Sequence, residues 1–393
     1  MWPWVSNYFK SVFRGKFKPF PGYSSDDTGV YQLKTGGGGG VTIAIACDWG
    51  TGTLESDTVA KSITSENPDY TILGDVYYVG DKLEIEENCL NQPLPNNDYT
   101  PVSWPRNGQG SFALNGNHEM YCGGSPYFTL FLSQLGIFTP RQKQQTSYFC
   151  LETAAWRILA LDTGYNSVGW PILGAIPWIN QVPFIGANCR LEDGLIDWVR
   201  NVLQPHLKVK PTLVLSHHQY YTAFEEQAYT KPARQLLEFF PNQELVWIWG
   251  HEHRLGIYDS FSVSGGVKAY GRCLGNGGMP VEVSDPKKFN TSKAPLLLYD
   301  GSTHKLDDGT EVGRNGYALL SLAASTLTLD YRDLNNQSLF VERFVGEANG
   351  TLQHGCDPVP QGGLTRVLRE SVIHRHRILI VGRTKCVSKL DTT

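Results

Sequence analysis

The sequence predicts a layered α/β domain built on two packed sheets, and three observations carry that reading. From Val41 to about Gly346, apolar runs of strand length alternate with segments whose apolar residues have helical spacing, the pattern of sheets covered by helices. Nearly every early run ends in, or passes straight into, a polar residue able to bind a metal ion. Beyond residue 255 the helical spacing disappears and antiparallel strand patterns take over.

Residues 1–40 are a basic, aromatic tail that ends in "TGGGGG" (35–40), which reads as a flexible linker. A phosphate cradle would need a Lys-Ser/Thr pair and then a helix, whereas a strand follows here. "VTIAIAC" (41–47), "YTILG" (70–74), "SFALNG" (111–116), "WRILALD" (156–162), "PTLVLSH" (211–217) and "ELVWIWGH" (244–251) read as buried strands. All but "WRILALD" deliver a possible metal-binding residue. Between them "LESDTVAKSI" (54–63), "LEDGLIDWVRNVL" (191–203) and "KPARQLLEFF" (231–240) read as helices. "VKAYGRCL" (267–274), "NGYALLSLA" (315–323), "STLTLDYRD" (325–333) and "SLFVERF" (338–344) then predict a second sheet packed on the first. The last stretch, 347–393, loses this rhythm, although "RHRILIVG" (375–382) has the composition of one more strand. Its His374-x-His376 pair has no carboxylate nearby and reads as solvated basic residues. The expected organisation is a tail and linker (1–40), one folded domain (41–346) and a C-terminal tail (347–393).

Composition excludes some functions. With 393 residues, 41% of them apolar, the chain can bury a sizeable core. A net charge of −4 and a pI near 6.2 argue against a dedicated nucleic-acid binder, which needs a basic face. The eight cysteines are scattered with no CxxC pair, so free thiols in a reducing compartment are expected. The first twenty residues lack the apolar stretch and cleavage site of a secretory signal, so a cytoplasmic location is expected and the sequons at Asn290, Asn336 and Asn349 carry little weight. In the tail, Trp2, Trp4, Tyr8, Phe9, Phe13, Phe17 and Phe20 accompany Lys10, Arg14, Lys16 and Lys18. Docking onto the protein's own surface is the expectation for them, with a membrane interface as the alternative.

Five strand-end motifs line up: Asp48-Trp49-Gly50, Gly74-Asp75-Val76-Tyr77-Tyr78, Gly116-Asn117-His118-Glu119, Val214-Leu215-Ser216-His217 and Gly250-His251-Glu252-His253. Each offers oxygen or imidazole nitrogen, ligands suited to Fe, Zn or Mn. A single one is an ordinary turn. All five at the carboxyl ends of predicted strands point to one site, because strand ends at a common sheet edge are where ligand sites form. A carboxylate can bridge two metals about 3.5–4 Å apart that together clamp a phosphoryl group. Asp75 is the natural bridge.

With these motifs the chain resembles the calcineurin-like metallophosphoesterase superfamily, and most of all its purple acid phosphatase branch, over roughly residues 41–345. Most of the superfamily opens with Asp-x-His; here the histidine's place is Gly50. The purple acid phosphatase pattern replaces that ligand with a tyrosine three residues after the bridging Asp, where Tyr78 stands. The resemblance implies a four-layer α/β-β/α sandwich of two mixed sheets. It implies that Asp48, Asp75, Tyr78 and His253 hold a first metal and Asp75, Asn117, His217 and His251 a second. A phenolate ligand favours Fe(III) in the first position; Fe(II), Zn(II) or Mn(II) would suit the second. The implied reaction is in-line attack of a metal-bridging hydroxide on a small phosphomonoester, with His118 contacting substrate and acting as general acid. Phosphodiester hydrolysis at the same site and a non-catalytic binding scaffold are the alternatives. His218 and Arg254 are candidate phosphate contacts. For His218 burial is an equal reading, and for Arg254 a solvated surface role is the other reading. Glu119 is expected to orient neighbours or start a helix.

Two loops stand outside the resemblance. Tyr165–Cys189 carries no charge but contains three prolines, so it reads as a wall or lid over the metal edge, or as a packed surface loop, rather than a membrane span. Residues 90–110 form a second long loop near that edge, where substrate choice is usually tuned.

Overall fold

The computed structural model describes residues 15–34, 39–93, 101–106, 108–169, 188–225, 227–286, 294–305, 309–357 and 364–367. Among these residues two nine-stranded mixed sheets lie face to face. In spatial order the first runs Val30–Gln32, Phe149–Glu152, Arg157–Ala160, Thr212–Ser216, Glu244–Trp249, Lys268–Leu274, Leu255–Phe261, Leu296–Tyr299 and Thr365–Arg366. The second runs Leu352–Cys356, Ser338–Gly346, Thr326–Asp333, Gly316–Ala323, Gly40–Ala46, Tyr70–Gly74, Gly110–Leu114, Gly136–Ile137 and Gln142–Lys143. Each has a parallel centre: Arg157–Ala160 through Lys268–Leu274 in one, and Gly40–Ala46 through Gly110–Leu114 in the other.

Those parallel strands are almost continuously apolar because both of their faces are covered. Alternate residues pack inward and outward. Ile43, Ile45 and Ile72 meet Leu213, Leu215, Val246 and Ile248 between the sheets. On the outside, Ala44 and Leu73 pack under Val59 and Ile63 of the helix Leu54–Glu66, while Val214 and Trp247 pack under Leu195 and Trp198 of the helix Asp193–Trp198. The result is the expected four layers, helix, sheet, sheet, helix. The sheets are also joined inside the sandwich by an ion pair without solvent contact. Arg272 meets Glu342 through Nε–Oε1 at 2.5 Å and Nη2–Oε2 at 2.6 Å, and Tyr331 Oη donates to the same carboxylate at 2.6 Å.

The late strands do not form a sheet of their own. Leu255–Phe261, Lys268–Leu274 and Leu296–Tyr299 extend the first sheet, whereas Gly316–Gly346 extends the second beside Gly40–Ala46. Helix Lys82–Asn88, which the sequence reading missed, starts at a capping box in which Asp81 accepts from Glu84 N and Glu84 accepts from Asp81 N.

The folded unit also passes both expected boundaries. Val30–Gln32 pairs with Phe149–Glu152, Leu352–Cys356 with Ser338–Gly346, and Thr365–Arg366 with Leu296–Tyr299. Phe17 stacks on Phe128 and Phe20 on Tyr148, and Lys16 sits 3.6 Å over the Tyr165 ring. Residues 1–14, most of the apolar loop (170–187), and His374 and His376 lie outside the described residues. Among the described residues six cysteines are free thiols, as the scattered spacing suggests, but Cys356 is disulfide-bonded. Among the described residues no helix is long and apolar enough to cross a membrane.

Candidate metal centre

The parallel strands of both sheets end at a common edge, and the polar residues that follow them converge there. Three of these residues leave their strands through the left-handed region, with φ of +56° at Asp48, +63° at Asp75 and +67° at His251. Asp tolerates this region better than most residues, but for all three it is uncommon backbone held by its surroundings. Glycine lets the carboxylates come close. A Cβ on Gly116 would lie 1.9 Å from Asp75 Oδ1, and one on Gly250 would lie 2.4 Å from Asp48 Oδ2.

Two groups of donor atoms result. In the first, Tyr77 Oη donates to Asp48 Oδ1 at 2.9 Å and lies 3.0 Å from His253 Nε2, which is 3.8 Å from Asp48 Oδ1. Asp48 is fixed further by His251 N, which donates to its Oδ2 at 2.8 Å. In the second group, Asn117 Oδ1 lies 2.7 Å from His217 Nε2 and 3.0 Å from His251 Nδ1, and those two nitrogens are 3.2 Å apart. Asp75 stands between. Its buried Oδ2 is 3.8 Å from His217 Nε2 and has no hydrogen-bond partner. Asp48, Asp75 and His217 can each direct one donor atom into a common space, as can His217, His218 and His251.

These residues suit metal ions. Donors about 3 Å apart match ligand bonds of about 2.0–2.2 Å, and an orphaned buried carboxylate oxygen calls for a cation. The protonation states agree. Burial lowers His217, His251 and His253, the last to about 4, which leaves neutral imidazoles with free lone pairs. Burial and the neighbouring Asp75 charge push Asp48 well up, while His118 acts against burial to hold Asp75 below the usual carboxylate range. Tyr77 is pushed well up by burial and by both aspartates, so only a cation beside it would draw off its proton.

The sequence reading is corrected at two positions. Tyr77, 1% exposed, reaches the donor set, whereas Tyr78 is 38% exposed and contributes its carbonyl oxygen, which pairs with His118 Nδ1 at 2.7 Å. The strand ends at Gly74 and turns sharply at Asp75, so strand alternation no longer tells which of two adjacent tyrosines points inward. Arg254 is not solvated: it is 2% exposed, ion-paired with Glu282, bonded to Ser284 Oγ at 3.1 Å and stacked 4.1 Å over Phe224. Its charge is already spent.

His118 lies over the first group, with its ring centroid 3.9 Å from that of Tyr77 and Nε2 3.9 Å from Asp75 Oδ2. His218 is buried. Its Nδ1 is 3.1 Å from Thr163 Oγ1, and its ring is 4.5 Å from that of His251. Glu119 accepts from Gly116 N at 2.9 Å, and burial with the nearby Asp75 charge pushes its carboxyl well up, so it fixes the turn rather than serving as a base. Gly50 has no room for a side chain, since a Cβ would lie 2.7 Å from Asp75 O and 2.9 Å from Val76 Cα.

Among solved structures the chain is similar to the purple acid phosphatase PPD1 from yellow lupin seeds, at 13% identity and a TM-score of 0.46, covering 81% of this chain and 54% of that one. It is similar to PhoD at 12% identity and 0.45, covering 82% and 73%, and to GAP50, "the anchor in the inner membrane complex of Plasmodium", at 12% and 0.44, covering 77% and 87%. The chain thus spans about half the length of the lupin protein. No curated protein matches its sequence. The profile of one family does match, over residues 41–255, which is more than half of the chain and holds every donor described above: the protein belongs to the calcineurin-like phosphoesterase family.

Proposed function

We propose that the protein is a phosphoester hydrolase that uses two metal ions and hydrolyses a small phosphomonoester. The observation that carries this is the unpartnered Asp75 Oδ2 between two separate sets of donors. Asp48, Tyr77 and His253 would hold one ion, Asn117, His217 and His251 the other, and Asp75 both. Bound there, the ions would act as Lewis acids that lower the pKa of water and withdraw charge from phosphoryl oxygens. Fe(III) suits the first position because a phenolate is a hard ligand, with Fe(II), Zn(II) or Mn(II) in the second. Tyr77 stands two residues after Asp75 rather than three, so what supports a purple acid phosphatase-like enzyme is a phenolate donor together with Gly50 in place of the usual histidine, not the spacing of that branch's pattern.

The protein's own groups divide the remaining work. His118 holds one proton at Nδ1 against Tyr78 O, and this aims Nε2 into the site. A proton on Nε2 passes to the oxygen of the departing alcohol as the phosphorus–oxygen bond breaks. The Tyr77 ring beneath His118 limits its rotation. Loss of Arg254 to Glu282 favours a second reading, in which the substrate is a phosphodiester whose single charge needs no side-chain cation.

Kinetics of the metal-loaded protein on p-nitrophenyl phosphate and on bis-p-nitrophenyl phosphate separate the two. A higher kcat/KM on the monoester supports the first reading and the reverse supports the second. Failure to turn over either, in protein shown to hold two ions, leaves a metal-binding scaffold.

A further inference from the structure

We infer that Tyr121 is a positioning residue that aims the side chain of Asn117 at the second metal position, an inference that rests on the two-ion reading above. The two ends of a carboxamide are not equivalent: Oδ1 can be a ligand, whereas Nδ2 carries two hydrogens and repels a cation. Asn117 Nδ2 donates to Tyr121 Oη at 3.0 Å, while Oδ1 faces His217 Nε2 and His251 Nδ1 at 2.7 and 3.0 Å. One hydrogen bond on the far side of the amide therefore fixes the torsion that presents the oxygen.

Tyr121 is itself well held for this task. It follows the short helix Asn117–Met120, so it stands four residues after Asn117, on the same helical face. Its N–H bonds to His118 O at 3.2 Å and its ring meets the His118 ring edge-on at 5.0 Å. An alanine at 121 would disturb both neighbours, but a phenylalanine removes only the oxygen. Partners of this kind, bonded to a ligand rather than to the metal, typically change metal affinity by about 10- to 100-fold.

The test is Tyr121→Phe in the full chain. Wild type and variant are loaded with zinc alone and dialysed against graded chelator. Zinc per chain is then counted by atomic emission and thermal unfolding of the metal-free proteins is followed. The expected result is that wild type retains two zinc ions, while the variant releases one of them at about 10- to 100-fold lower chelator strength and keeps the other as wild type does, with metal-free unfolding little changed. Release of both ions together with a lowered unfolding temperature would mark a merely structural tyrosine and overturn the inference. So would a variant indistinguishable from a two-zinc wild type. A wild-type chain that retains no zinc overturns the two-ion reading first and this inference with it.

Discussion

Replacing Tyr77 by phenylalanine removes one oxygen from the centre of the first donor group, and the structure sets what should follow. That oxygen donates to Asp48 Oδ1 at 2.9 Å and lies 3.0 Å from His253 Nε2, in a residue with almost no solvent contact. Removing even a hydrogen-bond partner of a ligand typically costs about 10- to 100-fold in metal affinity, which sets the least expected loss at the first position, since here an anionic ligand itself disappears. Tyr78→Phe acts on a side chain that is over one-third exposed, where substitutions usually stay within about 0.5 kcal/mol. Iron-loaded, oxidised wild-type protein should be pink to purple, because light moves electron density from phenolate to Fe(III). Tyr77→Phe should lose the colour and release iron to a weaker chelator, and Tyr78→Phe should do neither. A coloured Tyr77→Phe protein, or a colourless Tyr78→Phe one, would refute the assignment.

Asp75→Asn should lose both ions by metal analysis, because it removes the charge between them, whereas Glu119→Gln, which replaces a carboxyl held protonated by burial and by Asp75, should keep both. Glu342→Gln leaves Arg272 charged and unpaired inside the sandwich and should cost about 3–5 kcal/mol in denaturant unfolding. Glu342 is held down to about 2, with Arg272 overcoming burial, so its contribution is full above about pH 4.5 and should fade as pH falls from there towards 2. Asp162 has the opposite sign. Burial raises it to about 6, so the stability it contributes is full below about pH 3.8 and is lost as pH rises through 6, a change of about 3 kcal/mol that Asp162→Asn should remove from a stability–pH profile. Arg254→Gln should lower the unfolding temperature without raising KM, because Glu282, Ser284 and Phe224 already occupy the guanidinium.

Much of the centre was legible in the sequence for one geometric reason. Parallel strands share a carboxyl edge, so Asp48, Asp75, Asn117, His217 and the His251–His253 pair, each read off the end of an apolar run, had to lie near one another. The choice between Tyr77 and Tyr78 was not legible, because the left-handed turn at Asp75 breaks the alternation that would have decided it. Arg254 was misread because its partner Glu282 lies far along the chain. Tyr121 left a signal that was passed over, its four-residue spacing from Asn117 at a helix start. The boundaries at 40 and 347 were drawn where local pattern fades, yet the Val30–Gln32 strand is fixed by Phe149–Glu152, more than a hundred residues away, and nothing local announces that pairing. The division of the late strands between the two sheets was hidden in the same way.

The crowding at Gly50 has an evolutionary consequence. Gly50 N donates to Asp75 O at 3.0 Å and Tyr77 N donates back to Gly50 O at 2.9 Å, so the two ligand-bearing loops are stitched together across this residue. Restoring the histidine that most of the superfamily is expected to carry there would drive a Cβ into the Asp75 backbone and push apart the loops that supply Asp48, Asp75 and Tyr77. A lineage that has made this exchange cannot return by a single codon change, because the intermediate would lose the tyrosine's geometry before it gained an imidazole. The glycine and the inward tyrosine would be inherited as a unit, and Gly50→His alone should behave as a loss of the first ion rather than as the gain of a ligand.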